Sequence, residues 1–232
     1  MGKNKLLKFA ENQTFSNLFQ PEFTEVWGAD FRLKGKWNEF HFKNSNPIAL
    51  ELGCGKGEYT VNLAKQYPNK NFIGIDIKGA RLWTGAKEAF EGNMNNVAFI
   101  RTRIEHISSF FAPGEVSEIW ITFPDPQPRP AKARKRLSSS RFLTYYQKFL
   151  KANGLVHLKT DSQGLYEYTS ALVEQNGLKV IISTNDLYSG IVDDPILSIK
   201  TFYEKQFLEM GKPITYLNFE LSSAELKEPE LE

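Results

Sequence analysis

The segment from Trp120 to Arg136 holds the residues of this chain that are best placed for chemistry. An apolar stretch with β-strand character leads to Asp125, which stands between Pro124 and Pro126. Proline fixes φ and forces the residue before it into extended geometry. The sequence therefore predicts that Asp125 is held at the end of a strand on a stiff loop, where its carboxylate can face a ligand.

A cluster of cations begins at Arg129, four residues after Asp125. From Pro126 to Thr160 the sequence has no Asp or Glu and nine Lys or Arg, at positions 129, 132, 134, 135, 136, 141, 148, 151 and 159. Clustered cations are typical of surfaces that bind nucleic-acid phosphates. A solvated charged loop is the alternative. The position of the cluster beside Asp125 favours an enzyme that acts on nucleic acid.

Short apolar strands alternate with helices along the chain, and these elements must position the residues above. The alternation predicts a three-layer α/β fold with a mostly parallel seven-stranded sheet and an antiparallel last strand. The predicted strands are 48–51, 72–77, 97–101, 118–123, 155–159, 180–183 and 214–220. The predicted helices are 58–66, 80–91, 104–110, 140–151, 165–175 and 198–209. The alternation covers most of the chain, so one domain is predicted to carry the chemistry.

Three regions are predicted: an N-terminal arm at 1–45, the main domain at 46–221 and an acidic tail at 222–232. We expect the tail to be frayed. Pro21 and Gly28 interrupt any continuous helix in the arm. We expect the arm to pack its aromatic side chains onto the domain, with a mobile lid as the alternative. These aromatic residues recur every four positions: Phe15, Phe19, Phe23, Trp27 and Phe31.

A glycine-rich turn between the first predicted strand and helix indicates a ligand site. Gly53, Gly55 and Gly57 allow positive φ and close approach of a ligand to the backbone. Glu51 precedes the turn and Asp76 ends the next strand, so both acids are expected at the crevice of a parallel sheet. Carboxylates can accept the ribose hydroxyls of an adenosine. Glu58 stands in place of the third glycine of the dinucleotide pattern, and Glu51 and Glu58 would repel a pyrophosphate but not a cationic sulfonium. The turn therefore favours S-adenosylmethionine over NAD; a tight turn without a ligand is the other alternative.

The composition of the chain limits the kinds of protein and of site that can be expected. Apolar residues make up 41% of the 232 residues and the formal net charge is +2, so a sizeable core is expected. The only cysteine, Cys54, cannot form an internal disulfide and is interpreted as a packed residue. We expect no metal site, because no His, Asp or Glu cluster has metal-ligand spacing. We expect no membrane segment, since no apolar run approaches ~20 residues. A cytoplasmic protein, monomeric or homodimeric, is predicted.

Five motifs in order resemble those of the bacterial tRNA (guanine-N7)-methyltransferases. They are Leu-Glu-Leu-Gly-Cys-Gly-Lys-Gly-Glu at 50–58, Phe-Ile-Gly-Ile-Asp at 72–76, Phe-Pro-Asp-Pro at 123–126, Leu-Lys-Thr-Asp at 158–161 and Thr-Phe-Tyr-Glu at 201–204. The resemblance covers about residues 46–220. It implies a Rossmann-like methyltransferase fold, S-adenosylmethionine as cofactor and tRNA as partner.

The resemblance also implies roles for individual residues. Asp125 would be the catalytic acid and would border the cofactor. The cofactor-binding set would be Glu51, Gly53, Gly55, Gly57, Asp76 and Arg103. The substrate-binding set would be Arg129, Asp161, Thr201, Phe202, Tyr203 and Glu204, and the RNA-contacting run Ala131, Lys132, Ala133, Arg134, Lys135 and Arg136.

Two positions depart from the family pattern. Gln127 replaces the usual Trp, and Arg103 stands where the family has an acid that addresses the adenine amine. Glu105 or the backbone is the alternative for that contact. For Asp125 the structural alternative is an Asx-type turn, and for Asp161 it is a helix N-cap. For the whole chain, the alternatives are methylation of an exocyclic amine in nucleic acid and a non-catalytic RNA-binding protein with this fold.

Overall fold

Strands and helices alternate along the chain as the sequence predicts. The computed structural model describes residues 3–189, 199–200 and 202–229. The chain forms two units, Met1–Ala112 and Pro113–Glu232.

The first unit contains four parallel strands in the order β1-β4-β3-β2. Strand β2 is buried at every position and is apolar except for Glu51, as expected for a parallel strand covered on both faces. The helices are α1 (Lys3–Asn12), α2 (Phe23–Val26), α3 (Glu58–Gln66) and α4 (Gly79–Glu91), with a π-helical segment at Trp37–Phe42 and a 3₁₀ helix at Ile104–Ser109. The strands are β1 (Leu18–Phe19), β2 (Ile48–Leu52), β3 (Asn71–Asp76) and β4 (Val97–Arg101).

The second unit contains four strands in the order β5-β6-β8-β7. Strand β8 runs antiparallel to both of its neighbours, while β5 and β6 are parallel. The strands are β5 (Val116–Thr122), β6 (Leu150–Thr160), β7 (Val180–Thr184) and β8 (Thr215–Glu220). The helices are α5 (Ser140–Gln147), α6 (Gln163–Gln175) and α7 (Phe202–Glu209), with a 3₁₀ helix at Pro130–Lys135.

The predicted α/β class with a mostly parallel sheet and an antiparallel last strand is confirmed. The described residues form eight strands, not seven. The additional strand is β1, a two-residue segment that pairs Leu18 with Phe99 and Phe19 with Ile100. Two residues are too few to show a period-2 pattern in the sequence.

The predicted helix at 140–151 is shorter in the structure. Helix α5 ends at Gln147 and strand β6 begins at Leu150, five residues before the predicted strand start. The buried side chains of Phe149 and Leu150 continue the apolar pattern of the helix into the strand, and so the sequence does not mark the boundary.

The N-terminal arm packs most of its large apolar side chains inside the first unit. Trp37 is fully buried, and its indole N–H donates to the carbonyl oxygen of Phe110 at 2.9 Å. Phe15 and Phe31 are buried as well, whereas Phe23 and Trp27 are 53% and 65% exposed. The arm is therefore neither wholly irregular nor wholly packed, and it leaves the rings of Phe23, Trp27 and Phe40 at the surface.

The expectation of a frayed tail is wrong for residues 222–229. The side-chain amide of Gln147 donates to the carbonyl oxygens of Ser222 and Ala224 at 2.7 and 2.8 Å. Asn176 donates to the carbonyl oxygen of Lys227 and accepts from its backbone N–H. These bonds fasten the tail to helices α5 and α6. No helix in the described part of the chain combines the length and apolar character that crossing a membrane requires.

Candidate functional site

The glycine turn adopts the backbone geometry that its residues predict. Gly55 has φ +57°, and a Cβ built on it would meet no atom within 4 Å. Gly57 has φ +74°, and its Cβ would lie 2.5 Å from Cε1 of Phe99. Gly57 is therefore required for packing as well as for conformation. Gly55 is required for conformation and leaves open space beside the backbone, where a ligand can approach.

Glu51 lies inside the first unit, at 3% exposure. Its carboxylate accepts a bond from the backbone N–H of Thr60 at 2.9 Å and another from the Thr60 hydroxyl. The side chain thus fastens the start of helix α3 to the end of strand β2. If Glu51 also contacts a cofactor, as the sequence predicts, it does so in addition to linking helix α3 to strand β2.

Asp76 also supports the turn. Its carboxylate accepts from the backbone N–H of Gly55 at 3.0 Å and from that of Lys78 at 2.7 Å. Burial, followed by the negative charges of Glu51 and Asp76, raises the pKa of the Cys54 thiol well above its ordinary value. Asp76 therefore holds the turn directly, and both acids are close enough to Cys54 to keep its thiol protonated, as expected for a packed cysteine.

A cavity of about 240 Å³ lies beyond the end of strand β3. Ile77, directly after Asp76, is 49% exposed and lines this cavity together with Thr102, Arg103 and His106. The arm closes the other side with residues from Gln20 to Phe23 and with Val26. Arg103, the residue assigned to the adenine end of the cofactor, thus borders a cavity next to Asp76. Glu105 is not among the described residues that line it.

Asp125 is exposed on the loop after strand β5, as predicted. Its Oδ1 accepts the backbone N–H of Gln127 at 3.1 Å, so it makes the Asx-type turn that is the structural alternative. Phe123 and Gln127, on either side, have φ of +46° and +44°. Non-glycine residues rarely adopt this conformation, and such strain is concentrated at functional sites. The loop holds one carboxylate oxygen and leaves the exposed group available to a ligand.

The cations between Arg129 and Arg136 differ in exposure. Lys132, Arg134 and Lys135 are exposed on the 3₁₀ helix Pro130–Lys135, and within the described ranges none of the three forms an ion pair. Arg129 precedes this helix and is exposed as well. Arg136 differs, because it is only 6% exposed.

Arg136 is tied to the Asp125 loop. Its Nε donates to the carbonyl oxygens of Pro126 and Gln127 at 3.2 and 3.3 Å, and its Nη2 donates to that of Gln127 at 3.2 Å. The guanidinium lies 4.2 Å from the ring centroid of Tyr168, and the Tyr168 hydroxyl donates to Glu228 of the tail at 2.5 Å. The sequence predicts that Arg136 contacts RNA; in the structure it holds the loop that presents Asp125.

The residues of the predicted guanosine pocket are placed unevenly. Asp161 is 20% exposed and lies 3.3 Å from Nζ of Lys212. It does not cap helix α6, because Ser162 is the N-cap and accepts from the backbone N–H of Leu165. Thr201 and the side chains of Phe202 and Tyr203 lie outside the described residues.

Glu204 is fully buried and forms a 2.8 Å ion pair with Lys159, which is also fully buried. The Tyr188 hydroxyl donates to the same carboxylate. Burial lowers the pKa of Lys159, while Glu204 acts in the opposite direction and favours the charged form. Sequence reasoning misses Lys159 and Tyr188 as partners of Glu204, since 45 and 16 positions separate them along the chain.

His157 is packed inside the second unit. Its ring stacks on Trp120 at a centroid distance of 3.8 Å, and its Nδ1 lies 2.8 Å from the Tyr216 hydroxyl. No group of three or more His, Cys, Asp or Glu side chains in the described residues is arranged to hold a metal ion.

Comparison with known proteins places the chain in a class. Residues 45–217 match the family model described as "Putative methyltransferase". Among solved structures, the 16S rRNA methyltransferase KamB aligns over 79% of this chain and 92% of its own length, with a TM-score of 0.61 and 14% identity. The aminoglycoside resistance methyltransferase NpmB1 aligns over 82% and 95%, with a TM-score of 0.56 and 16% identity. The solved structures support the fold, and the family model, which covers most of the chain, places it among the methyltransferases.

Curated relatives show which family of methyltransferases the chain resembles. The tRNA (guanine-N(7)-)-methyltransferase of Bacteroides fragilis is 54% identical over 100% of this chain and 92% of its own length. The enzyme of the same name from Christiangramia forsetii is 53% identical over 94% and 98%, and that from Clostridium acetobutylicum is 36% identical over 81% and 87%. The chain belongs to the bacterial tRNA (guanine-N7)-methyltransferase family.

Proposed function

We propose that this protein transfers the methyl group of S-adenosylmethionine to N7 of a guanosine in tRNA, in the cytoplasm. The observation that carries the proposal is the full-length identity to enzymes of that name. The exposed Asp125 beside the exposed cations at 132, 134 and 135 supports it independently, because it joins a carboxylate for the base to cations for the RNA backbone.

The turn and its neighbours fit the cofactor. Gly55 leaves open space beside the backbone, and the cavity of about 240 Å³ at Ile77 and Arg103 offers an apolar side chain and a polar rim to an adenine base. Asp76 is half-buried at the end of strand β3 and holds the backbone N–H groups of Gly55 and Lys78; its remaining lone pairs would accept the ribose hydroxyls. Glu51 would act mainly by fixing the turn, since its carboxylate is buried and its Oε2 accepts both bonds from Thr60. S-adenosylmethionine, when bound, supplies a methyl group activated by a sulfonium.

Asp125 would act on the guanine and not as a base. Guanine N7 has a lone pair and no proton at neutral pH, so its attack on the methyl carbon needs no deprotonation. Transfer would form a C–N bond at N7 and break the C–S bond of the cofactor, so the purine would gain the positive charge that the sulfonium loses. An anion held near the ring stabilises this charge, and acceptance of guanine N–H groups fixes N7 in line with the methyl group. Asp125 is suited to both tasks because Gln127 holds only one of its oxygens.

The cations would position the tRNA without reading its sequence. Lys132, Arg134 and Lys135 project from one short 3₁₀ helix that begins at Pro130, so they form a cationic rim a few residues from Asp125. A base turned out of the RNA could then reach the carboxylate while the rim holds the backbone.

Base-analogue tRNA transcripts would test the transfer to N7. In 7-deazaguanosine a carbon replaces N7, and so we expect a transcript that carries it in place of guanosine to accept no methyl group. An inosine transcript lacks the exocyclic amine and keeps N7, and we expect it to remain a substrate. Methylation of the 7-deaza transcript would indicate the rival reaction at the exocyclic amine, whereas transfer to the inosine transcript would exclude that reaction.

The non-catalytic alternative requires a separate measurement. Calorimetry at micromolar protein is expected to show S-adenosylmethionine binding, and Asp125→Ala is expected to retain it while losing methyl transfer. The Asp125→Asn variant is the matched control, because it keeps the size of the side chain and removes the charge. Absence of cofactor binding in the wild-type protein would favour the RNA-binding protein, and a near-normal rate in Asp125→Ala would remove Asp125 from the mechanism.

A further inference from the structure

A second cavity lies in the N-terminal arm, apart from the glycine turn. It has a volume of about 440 Å³ and is lined by Ser16, Phe19, Arg32, Leu33, Lys36, Phe40 and His41. Ligand sites commonly range over ~300–1,000 Å³, so the cavity can hold one nucleotide. Phe19 lines this cavity and the next residue, Gln20, lines the cavity at Arg103. Two consecutive residues of the arm therefore line two different cavities.

The charge of the arm cavity is entirely positive. Arg32 and Lys36 are exposed, none of the lining residues is acidic, and neither cation forms an ion pair with an acid of the described residues. Lys34, on the same segment, behaves differently: it pairs with Asp30 at 2.6 Å. Two cations without an acidic partner at the mouth of a cavity are suited to a phosphate group.

Phe19, Phe40 and His41 form an aromatic part of the wall. Phe40 is 57% exposed, and Nζ of Lys36 lies 5.7 Å from the centroid of its ring. Phe19 meets His41 edge to face at 5.1 Å, which fixes both rings. Burial lowers the pKa of His41, and the charge of Arg32 acts in the same direction, so the imidazole is neutral at pH 7. It offers a hydrogen bond to a base without adding charge.

We propose that this cavity binds one nucleotide of the tRNA substrate, with its phosphate between Arg32 and Lys36 and its base stacked on Phe40. The combination explains why an exposed phenylalanine stands beside a cation that has no acidic partner in the described residues: stacking on aromatic rings with cations along the backbone is how proteins hold single-stranded nucleotides. The proposal rests on the proposed function, because it takes the ligand to be part of the tRNA. It adds a second point of contact, formed by the arm.

The test measures tRNA affinity by fluorescence anisotropy as a function of KCl. Arg32→Gln with Lys36→Gln is expected to flatten the slope of log K against log salt by ~0.7–0.9 for each phosphate that the variant no longer binds. The control, Lys34→Gln with Lys43→Asn, removes two charges of the same arm that do not line the cavity, and it should keep the wild-type slope. An equal decrease of the slope in both double variants would overturn the proposal, because any two cations of the arm would then be equivalent.

Stacking is tested separately. Phe40→Ala is expected to raise the Kd for tRNA ~5- to 150-fold, the range for removal of one stacked base, and Phe40→Trp should restore it. In methylation assays these variants should raise KM for tRNA and leave kcat unchanged, as expected when binding is weakened equally in the ground and transition states. Phe40→Ala with wild-type affinity would contradict the stacked base.

The outcomes separate this proposal from the proposed function. If the wild-type protein produces no 7-methylguanosine, the proposed function fails whatever the arm variants do. If it produces 7-methylguanosine and the arm variants bind tRNA as the wild type does, only the arm site fails. Binding of AMP that disappears in Phe40→Ala while tRNA affinity is unchanged would assign the cavity to a free nucleotide and would also overturn the proposal.

Discussion

Arg134 and Arg136 lie two residues apart in the cationic run, and substitution of each is expected to have opposite consequences. Arg134 is exposed and makes no ion pair in the described residues. Arg136 is 6% exposed, donates to the carbonyl oxygens of Pro126 and Gln127, and stacks on Tyr168. We predict that Arg136→Ala destabilises the fold and that Arg134→Ala weakens RNA binding.

The magnitude follows from the interactions of Arg136. A hydrogen bond to a charged group is worth ~1.5–3 kcal/mol, and Arg136 donates to two carbonyl groups. The cation–π contact with Tyr168 adds ~1 kcal/mol. Removal of a buried charge recovers part of its desolvation cost, which amounts to several kcal/mol. We therefore expect Arg136→Ala to lower the free energy of unfolding by ~2–4 kcal/mol, whereas an exposed substitution such as Arg134→Ala stays within ~0.5 kcal/mol.

Urea denaturation and the salt dependence of tRNA binding measure the two effects. Arg136→Ala should unfold at lower urea, and its kcat should fall because the Asp125 loop is released. Arg134→Ala should unfold as the wild type does and flatten the salt slope by ~0.7–0.9. The reasoning is refuted if Arg136→Ala has the wild-type urea midpoint and flattens the salt slope as Arg134→Ala does, because Arg136 would then contact phosphate.

Gly57→Ala is expected to lower the free energy of unfolding by ~2–4 kcal/mol, since its Cβ would lie 2.5 Å from Phe99 and its φ is +74°; an unchanged Tm would be inconsistent with this. The pKa of Cys54 is raised from 9.0 in the folded state, so its contribution to stability is full below about pH 9.0 and falls as the pH rises beyond it. Urea titrations at pH 8 and pH 10 check this, and Cys54→Ala should reduce the difference. Lys159→Met should cost ~3–5 kcal/mol by leaving Glu204 buried without its ion-pair partner, and a second change, Glu204→Met, should recover part of the loss; equal stability of the single variant and the wild type would contradict the ion pair's role.

The sequence predicts the elements well where local pattern decides them. Helix α3 has the predicted bounds, because Gly57 marks its start and Tyr67 and Pro68 close it. Strand β4 likewise has the predicted bounds. Strand β1 escapes prediction because its pairing with β4 depends on contacts 81 positions apart, and no local signal announces a two-residue strand.

The sequence predicts which residue types form the candidate site, but it does not predict which side chains are buried or engaged by other groups. Asp125 is exposed on its loop as expected, but a run of cations does not reveal which member is buried, and so the sequence groups Arg136 with Arg134. Glu51 is predicted to face a ligand, yet its carboxylate is engaged by Thr60. In each case the partner is a backbone or side-chain group whose position only the folded chain defines.

The central claim is that this protein methylates N7 of guanosine in tRNA. The most direct measurement incubates the purified protein with S-adenosylmethionine carrying a labelled methyl group and with bulk unmodified tRNA, digests the RNA and identifies the labelled nucleoside. The account predicts that the label is recovered as 7-methylguanosine and is absent when Asp125→Ala replaces the wild-type protein. Recovery of the label in a methylated amine, or in no nucleoside, would contradict it.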